Sequence, residues 1–114
     1  MAKLKEYSGL IRLEIGDGKI KDFSGRTLYF IDNNTVKAFS GQIMYRLEDD
    51  RIKDFYGRIL LEFDGKKIKR FAGLTEYLYD NGKFKEFAGN TIYVVDGFLS
   101  RRELMALIAI LFAS

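Results

Sequence analysis

The chain has 114 residues, 47% hydrophobic and 31% charged, with a net charge of +3, a length and balance that suit one globular domain with a buried core. It contains no cysteine and no histidine, which excludes disulfides, thiolate metal sites, cysteine nucleophiles, histidine-based triads and the common zinc sites. The mildly basic balance leans toward anionic partners without choosing among them.

Taken from the start, Met1-Ala2-Lys3-Leu4-Lys5 has no apolar run behind it, so no secretory signal is expected and a cytoplasmic location is. An aromatic-x-Gly triplet then recurs at Tyr7-Ser8-Gly9, Phe23-Ser24-Gly25, Phe39-Ser40-Gly41, Phe55-Tyr56-Gly57, Phe71-Ala72-Gly73 and Phe87-Ala88-Gly89, a constant spacing of 16 residues. A fixed period decides the fold before any local propensity does. Counting from the aromatic, the fifth residue is β-branched in every repeat (Ile11, Thr27, Ile43, Ile59, Thr75, Thr91). The seventh is Leu or Tyr, as in Leu13, Tyr29 and Tyr45, and the ninth is apolar, as in Ile15, Leu47 and Phe63. Apolar residues at every second position form one face of a strand. The fifth, seventh and ninth positions are expected to point inward, and the fourth, sixth and eighth outward.

A tight turn follows at Asp17-Gly18, Asn33-Asn34, Asp49-Asp50, Asp64-Gly65, Asn81-Gly82 and Asp96-Gly97. Such pairs favour positive φ and suit hairpins. A second short strand comes next, with Ile20, Val36, Ile52, Ile68 and Phe84 at position 14 and Lys21, Lys37, Lys53, Lys69 and Lys85 at position 15. The three-residue step from position 14 to the next aromatic breaks strict alternation, which predicts a bulge or a strand end there.

The ends are offset. Lys3-Leu4-Lys5-Glu6 fits a second strand without a first, and the sixth repeat has a first strand and a turn but no second strand. In its place stands Ser100-Arg101-Arg102-Glu103, a capping box, followed by ten apolar residues from Leu104 to Ala113. A helix with no polar face must be buried all round, and ten residues rise only about 15 Å, too short for a bilayer. The expected fold is therefore mainly β: six 16-residue hairpins closing into a twelve-stranded antiparallel barrel or flower, sealed by the N-terminal strand, around a helix over about 100–113. Twelve strands spaced ~4.8 Å and tilted ~40° give a radius of roughly 12 Å, enough to hold a helix ~10–12 Å across.

This layout resembles the tubby C-terminal domain and its LURP-one-like and phospholipid-scramblase-like relatives, and also the small β-flower proteins. The resemblance rests on the aromatic-x-Gly triplets, the Asp/Asn-Gly turns and the terminal apolar helix. It implies a barrel around a central helix and, for the tubby group, anionic lipid as a ligand class. No ligand residue is carried across.

Two surface features are candidates for function. Lys21, Lys37, Lys53, Lys69 and Lys85 would form a basic belt for anionic lipid head groups; neighbouring acids such as Asp32, Glu48, Asp80 and Asp96 are expected to neutralise much of it, which also argues against nucleic acid. Leu28, Phe30, Leu74, Leu78, Ile92 and Val94 fall on outward positions and suggest a protein partner or self-association. The triplet aromatics are expected to pack in the core or between hairpins rather than to stack on ligands. The carboxylates follow the repeat register or the turns, and no phosphate loop or dinucleotide fingerprint is present. The expected function is a non-catalytic binding or scaffolding domain without cofactor or metal. A peripheral membrane module for anionic lipid is the alternative, and an enzyme of unrecognised type a further one.

Overall fold

The computed structural model describes residues 2–70 and 73–113; the triplet residues Phe71 and Ala72 lie outside them. The strands are β1 (Ala2–Glu6), β2 (Ile11–Gly16), β3 (Lys19–Asp22), β4 (Thr27–Asp32), β5 (Thr35–Ala38), β6 (Ile43–Glu48), β7 (Arg51–Asp54), β8 (Ile59–Phe63), β9 (Lys67–Arg70), β10 (Thr75–Asp80), β11 (Lys83–Glu86) and β12 (Thr91–Asp96), followed by helix α1 (Arg101–Phe112). Each strand pairs antiparallel with its sequence neighbours, and β1 pairs with β12, so the twelve strands close into a barrel. No helix among the described residues is long and apolar enough to cross a membrane.

The closing seam has the register of every other hairpin. Within the first hairpin Ile20 lies opposite Ile15, and across to the next strand it lies opposite Tyr29. At the seam Leu4 lies opposite Val95 and Leu13. The N-terminal strand is therefore the second strand that the sixth hairpin lacks. Closure leaves no exposed ladder edge.

Position 14 is the deepest layer. Leu4, Ile20, Val36, Ile52, Ile68 and Phe84 are all 0% exposed. Each sits between a ninth-position and a seventh-position neighbour, so it is covered from both flanking strands. Full burial of such side chains contributes about 1.5–3 kcal/mol apiece.

The inward assignment needs one correction. Every junction between a second strand and the following first strand carries a bulge, whose extra residue is Arg12, Leu28, Met44, Leu60, Glu76 or Ile92, the sixth position of the repeat. A bulge sets two residues against one and changes the alternation. The fifth-position residues consequently fall opposite the outward lysines, as Thr27 does opposite Lys21 and Ile43 opposite Lys37. They share the outer face, not the core. Of the sixth-position residues, Met44 and Leu60 pack against the core. The break in alternation lies on the facing first strand; the second strand simply ends.

Helix α1 fills the lumen. Ser100 accepts from the Glu103 N–H at 3.2 Å, and the Glu103 carboxylate accepts from the Ser100 N–H at 3.0 Å. Met105, Ala106, Leu107, Ile108 and Ala109 are buried in succession, so all sides of the helix are covered over more than one turn. At its start, Arg101 donates to Asp50 at 2.6 Å and to the Phe63 carbonyl at 3.1 Å. Near its end, Phe112 stacks on Tyr77 at 4.1 Å and meets Phe84 edge-on at 5.6 Å. The drum measures 36 × 33 × 20 Å. Its short axis matches the rise of a six-residue strand, ~20 Å.

Candidate functional site

An up-and-down barrel collects all turns of one kind at one end. The six aromatic-x-Gly turns therefore share an end, opposite the Asp/Asn-Gly turns and the start of α1. Among the described residues they are built alike. The Gly N–H donates to the residue three before it, as Gly25 does to the Asp22 carbonyl at 3.0 Å and Gly89 to Glu86 at 2.8 Å. The residue before the aromatic then bonds the fourth position, as Glu86 N does to the Asn90 carbonyl at 2.9 Å. This is a three-residue hairpin loop, a type I turn closed by a left-handed residue. The glycines hold φ between 89° and 106°, a region that L side chains avoid.

In that turn the aromatic occupies the first corner and projects into solvent. Tyr7, Phe23, Phe39, Phe55 and Phe87 are 50–77% exposed. The expectation that they belong to the core is overturned. Contact with the neighbouring hairpin survives only in part: Phe39 stacks on Phe30 at 6.1 Å, and Arg46 lies 6.0 Å from the Phe55 ring. Leu10, Tyr56 and Leu74 add to the exposed apolar surface of this end. The signal that could have revealed this was the adjacent glycine, since a residue two before an obligatory left-handed Gly lies on a turn and not on a strand face.

Charges at this end are largely paired. Asp22 Oδ1 accepts from the Ser24 hydroxyl at 2.6 Å and from the Ser24 and Arg26 N–H groups, each at 3.0 Å. The Ser24 hydroxyl bond, joined by the backbone bonds and the Arg26 charge, holds the Asp22 carboxyl below its ordinary value. Asp54 takes the Tyr56 and Arg58 N–H groups and Arg58 Nε, the last at 2.8 Å. Desolvation alone would raise Asp54, but the bonds and charge of Arg58 outweigh it and lower the pKa. Glu6 pairs with Arg12 at 2.6 Å, and Glu76 with Arg70 at 2.9 Å.

The lysine belt lies on the outer wall and is mostly engaged by acids. Lys37 pairs with Asp32 at 2.9 Å, Lys53 with Glu48 at 3.0 Å, and Lys85 with Asp80 at 4.0 Å. Lys5 belongs to the same column and pairs across the seam with Asp96 at 3.1 Å. Lys69 helps lower Asp64, behind the Lys67 and Lys66 backbone bonds. At Lys21 the register that holds the acid elsewhere is Gly16. The acids stand next to the Asp/Asn-Gly turns, so these ammonium groups lean away from the aromatic end.

The six apolar residues proposed from sequence do not form one surface. Leu28 and Phe30 lie on β4, separated by β3, β2 and β1 from Ile92 and Val94 on β12. Leu28 is a half-buried bulge residue; with Ile110 and Leu111 it lines a cleft of about 280 Å³. Phe30 is covered in part by Phe39. Leu78 lies opposite Lys85 and Lys67, and Val94 opposite Lys83 and Lys5. Ile92, also a bulge residue, borders two shallow clefts of about 610 and 440 Å³ at the aromatic end. Leu74 is exposed on the turn of the fifth repeat.

Inside the barrel the described buried residues are all apolar or aromatic. Desolvation raises the Tyr45 and Tyr79 phenols. Among the described residues no group of three acids is placed to hold a metal ion. No protein-family model, curated protein or solved structure matches this chain.

Proposed function

We propose that the chain is a non-catalytic binding or scaffolding domain that meets its partner through the aromatic end of the barrel. The observation that carries this is the exposure of the repeated aromatics: each described one stands 50–77% in solvent, on a turn whose geometry requires only the glycine. Large exposed apolar surface of this kind marks contact sites. The closed ladder supports the same reading, because it gathers the described aromatic turns on one rim.

The membrane alternative, suggested by the tubby-like layout, draws less support. It would use the lysine belt, whose Lys37, Lys53 and Lys85 are paired with acids and turned from the aromatics. Pelleting with vesicles of phosphatidylcholine alone and with added phosphatidylserine, at low and high salt, separates the two. Salt-sensitive binding to the anionic vesicles only would favour the membrane reading. The binding reading is tested by ¹⁵N chemical-shift titration with blocked peptides of basic, acidic and neutral composition, beside light scattering for self-association. Perturbed amides should cluster in the aromatic turns. Perturbation confined to the Asp/Asn-Gly end, or to none of the turns in any titration and at any protein concentration, would refute it.

A further inference from the structure

The fourth and sixth repeats carry the same turn in different company. In the fourth, the chain supplies its own cations to the ring and the carboxylate. Arg46 lies 6.0 Å from the Phe55 ring centroid, and Arg58 Nε bonds Asp54 Oδ2 at 2.8 Å. A guanidinium beside an aromatic face and a carboxylate is a favourable arrangement. In the sixth repeat the ring is Phe87 and the carboxylate is Glu86, but Leu78 and Asn90 stand in register with Arg46 and Arg58. Glu86 takes part in none of the ion pairs among the described residues.

The surroundings are concave. The cleft of about 610 Å³ is bordered by Glu76, Glu86, Phe87 and Ile92, and the cleft of about 440 Å³ by Glu6, Tyr7, Glu86 and Ile92. Glu86 and Ile92 are common to both. The flanking Glu76 and Glu6 are already bonded to Arg70 and Arg12, which leaves Glu86 as the carboxylate free to take an outside charge among these three. Ile92 and the ring of Tyr7 give apolar surface on the side away from Phe87.

We infer, building on the binding function proposed above, that this double cleft receives an arginine or lysine side chain of a peptide partner. Its cationic head lies on the Phe87 ring and bonds Glu86, and an adjacent apolar side chain covers Ile92 beside Tyr7. The partner thus supplies what Arg46 and Arg58 supply to the fourth repeat.

The probe is a blocked hexapeptide of alternating arginine and leucine, titrated into ¹⁵N-labelled protein, with the alternating glutamate and leucine peptide as its counterpart. The arginine peptide should shift the amides of Tyr7, Glu86, Phe87 and Ile92, and the glutamate peptide should not. Glu86→Gln should weaken binding at least tenfold. Asn90→Arg, which installs the arginine of the fourth repeat, should weaken it as much while leaving the core amides in place. Equal binding of both peptides, or unchanged binding by Glu86→Gln or Asn90→Arg, would each overturn the assignment. If the arginine peptide leaves the aromatic turns unmoved while another peptide shifts them, this assignment fails and the broader binding function stands. If neither a peptide nor a rise in protein concentration moves them, both fail.

Discussion

The two ends of the drum are closed by the same number of strands and by different turns. At the Asp/Asn-Gly end, Asp17, Asn33, Asp49 and Asn81 take φ of 50–53°, the conformation short polar residues tolerate best. The helix starts there and is tied to the turn by the Arg101–Asp50 pair. At the other end a glycine supplies the positive φ and an exposed aromatic precedes it by two. The turns of the first end use residues their backbone needs, and the large apolar side chain in solvent there is Phe98, beyond the last turn and 84% exposed. The second carries, in every repeat, a large apolar side chain that its backbone does not need. The difference teaches where folding constraints stop: five described aromatics in solvent are an addition to the fold, and that is the ground for placing binding there.

The largest effect should come from removing what both ends enclose. A chain ending at Gly97 lacks α1, so the inward faces of twelve strands lose their cover. Losing the burial of Met105 to Ala109 and Phe112, at about 1.5–3 kcal/mol for each large side chain, together with that of the strand residues facing them, exceeds the 5–15 kcal/mol typical of a whole domain. Urea titration followed by circular dichroism should show no cooperative transition. A sharp transition in the truncated chain would mean that the barrel stands without its helix.

The comparison between inside and rim can be made within one strand and its turn. Phe84 is 0% exposed and Phe87 is 67% exposed. Phe84→Ala should cost about 3–5 kcal/mol, since it opens a cavity against Tyr79 and Phe112. Phe87→Ala should change stability by no more than about 0.5 kcal/mol. Equal losses in denaturant midpoints would show that the aromatics serve the fold after all, and would remove the main support for a binding surface. Ser100→Ala comes next in size, at about 1 kcal/mol, because it removes the cap at the Glu103 N–H without touching the core.

Much of the architecture was legible in the residues. The period, the offset at the chain ends and the capping box specify six hairpins, the seam and the helix, because each is set by local chemistry at a fixed spacing. What was not legible came from one residue per repeat. The bulge at Arg12, Leu28, Met44, Leu60, Glu76 and Ile92 reverses the alternation partway along each first strand, and nothing in a pattern of apolar residues marks it. That is why the fifth-position residues were expected inside, and why Leu28 and Ile92 were expected to be plain outward residues. The depth of the Ile20 column was not legible for a related reason: its strands are four or five residues long, too short for periodicity to show which residue lies deepest. The Glu86 cleft needed three-dimensional neighbours, since Tyr7 and Glu86 are brought together only by closure of the barrel.

The smallest expected effect concerns what the two ends have in common. Asp22 and Asp54 cap aromatic turns with backbone N–H bonds, and at the opposite end Asp64 does the same with the N–H groups of Lys67 and Lys66, at 2.7 and 3.0 Å. The folded state holds all three carboxyls below their ordinary value, Asp64 chiefly through the Lys67 and Lys66 backbone bonds. A depressed carboxylate binds its proton less readily in the folded chain than in the unfolded one. Its contribution is therefore complete above the unfolded value, about 3.9, and is lost as pH falls through the folded one. Urea midpoints measured from pH 5 downward should decline below about pH 4. Asp22→Asn and Asp64→Asn should each flatten that decline slightly, because an amide keeps an acceptor oxygen for the backbone but has no proton to gain. A flatter decline from Asp64→Asn alone would mean that the aromatic turns do not depend on their carboxylates, and would leave the arginines beside Asp22 and Asp54 as surface charges rather than parts of the turn.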